Sequence, residues 1–435
     1  MRLFNTLTGS VERFRPRPGQ TVAVYVCGIT PYDTTHLGHA FTYVVFDVLM
    51  RHLETVHAWP VRYVQNLTDI DDDVLKRAAE VGTDWRSLGE EWTTRFVRDM
   101  QALNVRPPDA FPGATAYIPQ IQEHVAALID AGAAYERNGN VYFRVSGDEG
   151  FGALSGLEPE QMLATANERG NVPDDPDKDD PLDFVLWQAG KPGEPAWRSP
   201  WGLGRPGWHI ECSTMATQLL RGTVDIHGGG RDLLFPHHAC EIAQCDAIGD
   251  GGAFTRFWAH VAMVRMDGEK MSKSLGNLVL VRDLLDSWHP DTIRLYLLRS
   301  HYRQAWEWDP DALAATDAWV RTLHAAIATH AGPADAPALD PATYGPRFTS
   351  ALDDDLDTPT AVEVVLHLAD DILAASAKTN VSAAQDVLRA LAGHILGLWL
   401  RPVAEIPAEE LAAVAWPEPE TAPPDVAALG VSEAS

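Results

Sequence analysis

The stretch YVCGITPYDTTHLGHA, Tyr25 to Ala40, holds Cys27, one of four cysteines in the chain, and two histidines that bracket a glycine, His36 and His39. A thiolate and imidazoles are ligands for a thiophilic metal. Histidines beside a glycine at a helix start also suit a phosphate, and a histidine pair can move a proton. A plain turn is the fourth reading. Further on, Cys212 lies in GRPGWHIECS, and His237 and Glu241 stand at i and i+4 in FPHHACEIAQ, where a helix sets them on one face. Cys27, Cys212, His237 and Glu241 could together close a tetrahedral zinc site. Spacing alone is weak support, because the ligands come from distant segments and Cys240, at i+3 from His237, competes on geometry. A third group is EKMSKSLGN, where Lys270 and Lys273 stand among serines. Two ammonium groups on a loop suit a polyphosphate whose charge changes during reaction.

The elements that must position these groups follow from patterning. GQTVAVYVCG is rich in β-branched residues and reads as a buried strand; LGHAFTYVVFDVLMRHLETV reads as a largely buried helix; WPVRYVQNLTDID reads as the next strand and its exit loop. Strand, loop, helix and strand make a βαβ unit and a parallel sheet. Cys27, His36 and His39 then lie at the carboxyl edge of the sheet, where ligands of open α/β sheets bind. Residues 84–200 read as an insertion, helical at first and irregular in the Gly-, Pro- and Asp-rich part after Ser146. Beyond Pro310 the pattern is that of an Ala/Leu-rich helical bundle, over 311–401. Residues 402–435 are Pro- and Glu-rich without Lys or Arg, and are expected to be a disordered acidic tail.

Composition narrows the class. With 435 residues, 46% hydrophobic and 22% charged, the chain fits a soluble protein of a few domains. No long uncharged apolar run marks a membrane span, and the N-terminus lacks a secretory pattern, so a cytoplasmic location is expected. Four cysteines are too few for a disulfide scaffold, and Cys240 and Cys245 read as buried thiols. The net charge of −27 argues against broad binding to phosphate backbones.

HLGH and KMSKS, in this order on a βαβ background, resemble the signature pair of class I aminoacyl-tRNA synthetases, with Leu37 for the usual isoleucine. The resemblance implies a Rossmann-like α/β catalytic domain over 1–310, with an inserted subdomain and a C-terminal helical bundle. It also implies that Gly38 lets ATP approach the backbone, and that His36, His39, Lys270 and Lys273 are the catalytic groups that stabilise charge on the phosphates, with Mg²⁺. More narrowly, YVCGITPYD, HLGHA, NLTDIDD, PLDFVLW, GRPGWHIECS, DIHGGGRDLLFPHH and KMSKS resemble cysteinyl-tRNA synthetase and its relative, the cysteine ligase of mycothiol synthesis, from about Leu3 to Pro310. That likeness implies one zinc ion on Cys27, Cys212, His237 and Glu241, which binds the thiolate of substrate cysteine. It further implies that Trp208 and Thr68 contact the amino acid, and that Gly229, Gly230 and Asp232 cradle the adenosine of ATP.

The implied reaction joins L-cysteine and ATP into cysteinyl-adenylate and pyrophosphate, followed by transfer to an acceptor. The wording CGITPYDTTHLGHA and ERGNVPDDPDKDDPLD is closer to the mycothiol-type ligase, whose acceptor is a small amine on an amino sugar. No candidate for an anticodon-binding module follows 401, and the charge of −27 disfavours a long tRNA footprint. Against this, Glu241, CEIAQ and KMSKSLGN read like the tRNA-charging branch. A small amine is therefore the leading acceptor and tRNA the alternative. A non-catalytic zinc-binding paralogue is the remote third reading, opposed by intact HLGH and KMSKS.

Overall fold

The computed structural model describes residues 1–32, 35–271, 276–375, 378–401 and 416–422. Its centre is a four-stranded, all-parallel sheet in the order Thr255–Val261, Val224–Gly230, Val22–Ile29, Val61–Leu67. The Val22–Ile29 strand, VAVYVCGI, is buried along almost its whole length, as a central parallel strand with both faces covered must be. Its register with Val61–Leu67 shifts between Val26 and Ile29, the segment that carries Cys27. Gly28 makes this possible: its amide donates to Asn66 Oδ1 at 2.7 Å, and a Cβ there would sit 1.6 Å from the Asn66 carbonyl oxygen.

The helix Leu37–Thr55 follows that strand and packs into one apolar core with Phe96, Ile293 and the C-terminal helices. A second core lies around Tyr25, Cys27, Trp187, Ile210, Cys212 and Trp258. The opposite face of the sheet thus receives helix Trp208–Leu220 and the inserted region.

The insertion is more regular than its composition predicts. It carries a five-stranded antiparallel sheet, ordered Ala134–Arg137, Asn140–Phe143, Phe184–Ala189, Gly202–Pro206, Trp197–Ser199. A helix, Pro159–Asn167, interrupts the Gly/Pro/Asp-rich part. The strands are three to six residues long, too short for a clear period-2 pattern between so many turn residues.

C-terminal helices Pro310–Ala328, Tyr344–Asp353, Thr358–Ala374 and Ser382–Leu388 form the expected bundle. It is tied to the sheet domain by buried Arg294, which donates to Asp47, to the Leu103 carbonyl at 2.7 Å and to the Leu396 carbonyl at 2.5 Å. Part of 402–435 is also packed: Trp416 wedges edge-on between Phe96 and Phe111, with ring centroids 5.3 and 5.4 Å away. Among the described residues no helix is long and apolar enough to cross a membrane.

Candidate functional site

A cavity of about 1470 Å³ opens over the carboxyl edge of the parallel sheet. Its lining includes Cys27, His36, Gly38, His39, Asp71, Trp208, Gly230, Asp232 and Met271. The two ends of the sequence pattern therefore share one hollow.

At its floor, Cys27, Cys212, His237 and Glu241 are 5%, 1%, 1% and 0% exposed, and their donor atoms all lie within 4.8 Å of one another. Cys27 comes from the end of the first strand, Cys212 from helix Trp208–Leu220, and His237 and Glu241 from the start of Ala239–Ile248 and the turn before it. The sulfurs are 3.9 Å apart, Cys27 Sγ is 3.7 Å from Glu241 Oε1, and His237 Nε2 is 3.2 Å from the same oxygen. A tetrahedral ion with bonds of about 2.3 Å to sulfur and about 2.0 Å to nitrogen or oxygen has edges of about 3.8, 3.5 and 3.3 Å between those donors. The four residues thus fit a zinc ion. Glu241 Oε2 is buried without a hydrogen-bond partner.

Charge in this pocket is uneven. Burial pushes the Glu241 carboxyl well above the usual range, helped by the neighbouring Cys212. Burial also opposes ionisation of Cys212, but the hydrogen bond from Cys27 and the His237 imidazole hold its thiol well below the ordinary value. A divalent cation bound here would favour the ionised forms of these donors.

Sequence reasoning missed the histidines that surround this set. His237 Nδ1 meets His209 Nδ1 at 3.0 Å, which leaves Nε2 facing Glu241. His227 and His238 approach Cys27 Sγ at 3.7 and 3.3 Å, and His238 Nδ1 continues to His260 Nε2 at 2.8 Å. Burial, with repulsion from neighbouring imidazoles that include His237 and His260, lowers His227 and His238 well below the usual imidazole range. Cys27, His227, His238 and Glu241 form a second group within 4.8 Å. That set leaves out the depressed thiol of Cys212. We favour the first set because zinc is thiophilic. The signal in the sequence was the presence of histidines in every motif of this region, GWHIECS, DIHGGG, FPHH and FWAH. Cys240 reaches the cavity wall, but its thiol is pushed well up by burial and belongs to neither group.

Trp208 stands over the metal-ligand set, its ring stacked on His237 at 4.5 Å. Thr68, at the end of the second strand, is buried; its hydroxyl accepts from Asn66 Nδ2 at 3.2 Å, and its neighbours Ile70 and Asp71 line the cavity.

At the other end, His36 caps helix Leu37–Thr55: its Nδ1 accepts from Gly38 N at 3.1 Å and His39 N at 3.4 Å. The His36 and His39 rings stack at 3.8 Å. Gly230 and Asp232 line the same rim, and Arg169 of the ERG segment approaches Asp232 Oδ2 at 3.7 Å. Gly229 is not on the rim. It is buried, and a Cβ there would meet Leu233 at 2.8 Å and the His238 ring at 3.3 Å, so it makes room for the histidine cluster. Lys270 ends the short strand Glu269–Lys270, and Lys273 lies outside the described residues.

Residues 13–318 match the family of tRNA synthetases class I (C) catalytic domains, and residues 347–401 match the DALR domain. A cysteine–tRNA ligase of Dehalococcoides mccartyi is 42% identical over 402 residues, spanning 92% of this chain and 86% of that protein. An L-cysteine:1D-myo-inositol 2-amino-2-deoxy-α-D-glucopyranoside ligase of Thermomonospora curvata is 44% identical over 407 residues, spanning 92% and 94%. Among solved structures, Mycobacterium tuberculosis methionyl-tRNA synthetase bound by methionyl-adenylate superposes with a TM-score of 0.63 at 15% identity, covering 92% of this chain and 99% of that one. The chain belongs to the class I tRNA synthetase (C) family, with a Rossmann-like catalytic domain and a DALR helical domain.

Proposed function

We propose that this class I, cysteine-specific ligase selects cysteine by its thiol at a zinc ion held by Cys27, Cys212, His237 and Glu241, activates it with ATP, and passes it to a small amine. The observation that carries this reading is the donor spacing of the four buried residues, which matches the edges of a tetrahedral zinc site. Zinc held there would supply a thiophilic Lewis acid for the substrate's sulfur, which a serine hydroxyl would satisfy poorly.

The remaining steps belong to the chain's own side chains. Trp208 and Thr68 hold the amino acid over the floor of the cavity with its carboxylate towards ATP. Gly230 and Asp232 seat the adenosine, with the Asp232 carboxylate suited to ribose hydroxyls. One oxygen of the cysteine carboxylate attacks the α-phosphorus, the bond to pyrophosphate breaks, and cysteinyl-adenylate forms. His36 and His39, at the positive end of helix Leu37–Thr55, meet the growing charge on the phosphates with Lys270, Lys273 and Mg²⁺. The acceptor amine then attacks the activated carbonyl and AMP leaves.

An amino sugar such as 1D-myo-inositol 2-amino-2-deoxy-α-D-glucopyranoside is the acceptor we favour. The net charge of −27 disfavours a polyanion. The relatives named for that reaction are also matched over 94% and 95% of their length. A second reading, transfer to tRNA, is supported by Glu241 as a fourth protein donor and by relatives named cysteine–tRNA ligase. The test is an acceptor assay. Purified protein with cysteine and ATP is expected to exchange labelled pyrophosphate, and serine to fail. Labelled cysteine is expected on the glucosamine conjugate; label on tRNA instead overturns the first reading, and no exchange overturns both.

A further inference from the structure

The described part of the acidic tail does not leave the catalytic domain. Trp416 is 8% exposed against Phe96 and Phe111, and Glu420 extends the sheet edge. Val64 and Leu67 bridge in parallel to Ala110 and Gly113, and Pro112 bridges in turn to Glu420. The Gly113 amide donates to the Glu420 carbonyl at 2.7 Å, and Arg86 donates to the Ala422 carbonyl at 3.1 Å. Pro417 and Pro419 alternate along this segment, which suits an edge position, the outermost among the described residues.

The segment ends on a relay into the cysteine pocket. The Ala422 amide donates to Thr115 Oγ1 at 2.9 Å. That hydroxyl donates to Asp69 Oδ2, and the Thr115 amide donates to Asp69 Oδ1 at 3.0 Å. Asp69 lies between Thr68, whose amide donates to the Ile29 carbonyl at 3.0 Å, and Ile70 and Asp71 on the cavity wall. The bend Thr68–Asp71 is thus fixed from behind by one threonine, and that threonine is held by the tail. Gly113 shows how closely the parts meet. A Cβ there would sit 2.6 Å from the Glu420 carbonyl oxygen, 2.9 Å from Asp69 Oδ2 and 3.0 Å from Thr421 Cγ2.

We propose that Trp416–Ala422 is a positioning strap for the amino-acid pocket, acting through Thr115 and Asp69 on the Thr68–Asp71 bend. Thr115 and Trp416 are positioning residues; neither touches a substrate. The inference rests on the reading of this cavity as a cysteine-activating site. A bend released by a fraction of an ångström loses affinity for the group it contacts, while the phosphate end, held by a different helix, keeps its own.

The test uses the full chain in two independent measurements. In cysteine-dependent pyrophosphate exchange, Thr115→Val and Trp416→Ala are expected to raise KM for cysteine about tenfold, with KM for ATP and kcat within about twofold. Thr115→Ser keeps the hydroxyl and is expected to restore the wild-type KM. In hydrogen exchange, amides of residues 67–73 are expected to exchange about tenfold faster in Trp416→Ala than in wild type. Unchanged KM for cysteine, or equal rises for cysteine and ATP, overturns the strap. If wild type shows no exchange of pyrophosphate, the functional reading fails. The hydrogen-exchange arm then still decides the strap, which unchanged protection of 67–73 overturns.

Discussion

The floor and the rim of the cavity are built differently. At the floor, donors from three separate segments are at most 5% exposed, and a second layer of histidines, His209, His227, His238 and His260, packs against them. At the rim, His36, Gly38, His39 and Asp232 are half-buried, and Lys270 ends a separate short strand. A soft-ion site needs its ligands fixed in advance, because a single misplaced thiol leaves a buried unpaired group. A polyphosphate brings its own charge and needs only donors on its surface, gathered when it binds. On the proposed reading, selection of cysteine is assigned to the closed floor and charge stabilisation during turnover to the open rim.

The sharpest way to break that division is Cys212→Ser. The hydroxyl is a poor zinc ligand, and the change leaves three donors in place. Cysteine-dependent pyrophosphate exchange is expected to fall by about a thousandfold or more, together with loss of bound zinc measured by mass spectrometry. Glu241→Gln is expected to do the same more weakly, and Cys240→Ser to do neither. If Cys240→Ser removes zinc while Glu241→Gln does not, the ligand set is wrong.

His39→Ala tests the rim. It is expected to lower kcat about a hundredfold while zinc content and KM for cysteine stay within about twofold, because the group acts on charge that grows in the transition state. A large rise in KM for cysteine instead would show that floor and rim are one unit.

The same contrast governs what the sequence made legible. The rim motifs are continuous strings, so HLGH and KMSKS could be read directly, and the βαβ pattern of Val22–Leu67 placed them. The four floor donors were also within reach, through i, i+4 spacing and family likeness. The histidine layer was not. Each of its members is one residue in an apolar strand or helix, and only the parallel pairing of Val224–Gly230 with Thr255–Val261 brings His227 and His260 into one cluster. Gly229 shows the same limit: in sequence it looks like a nucleotide-binding glycine, but its missing Cβ makes space for His238. The strap was hidden for another reason. WPEPETA has the composition of a disordered tail, and it is ordered by one tryptophan and backbone hydrogen bonds to residues some three hundred positions earlier.

The smallest expected effect separates position from stability at the rim. Gly38→Ala places a Cβ 2.9 Å from His36 Cε1 and 3.0 Å from its Nδ1, so the ring must move. Two stability terms then oppose each other. Alanine in a helix gains about 1 kcal/mol over glycine, and loss of the His36 cap on Gly38 N and His39 N costs about 1 kcal/mol. The melting temperature is expected to shift by no more than about 3 °C in a chain this long. The rate is not protected by that cancellation, since the displaced His36 no longer stacks on His39 and the backbone at Gly38 is covered. Pyrophosphate exchange is expected to fall about tenfold, with KM for ATP rising and KM for cysteine unchanged. A variant that melts like wild type and turns over like wild type would mean that neither the His36 ring nor open backbone at Gly38 is needed at the phosphates. The phosphates would then depend on His39, Lys270 and Lys273.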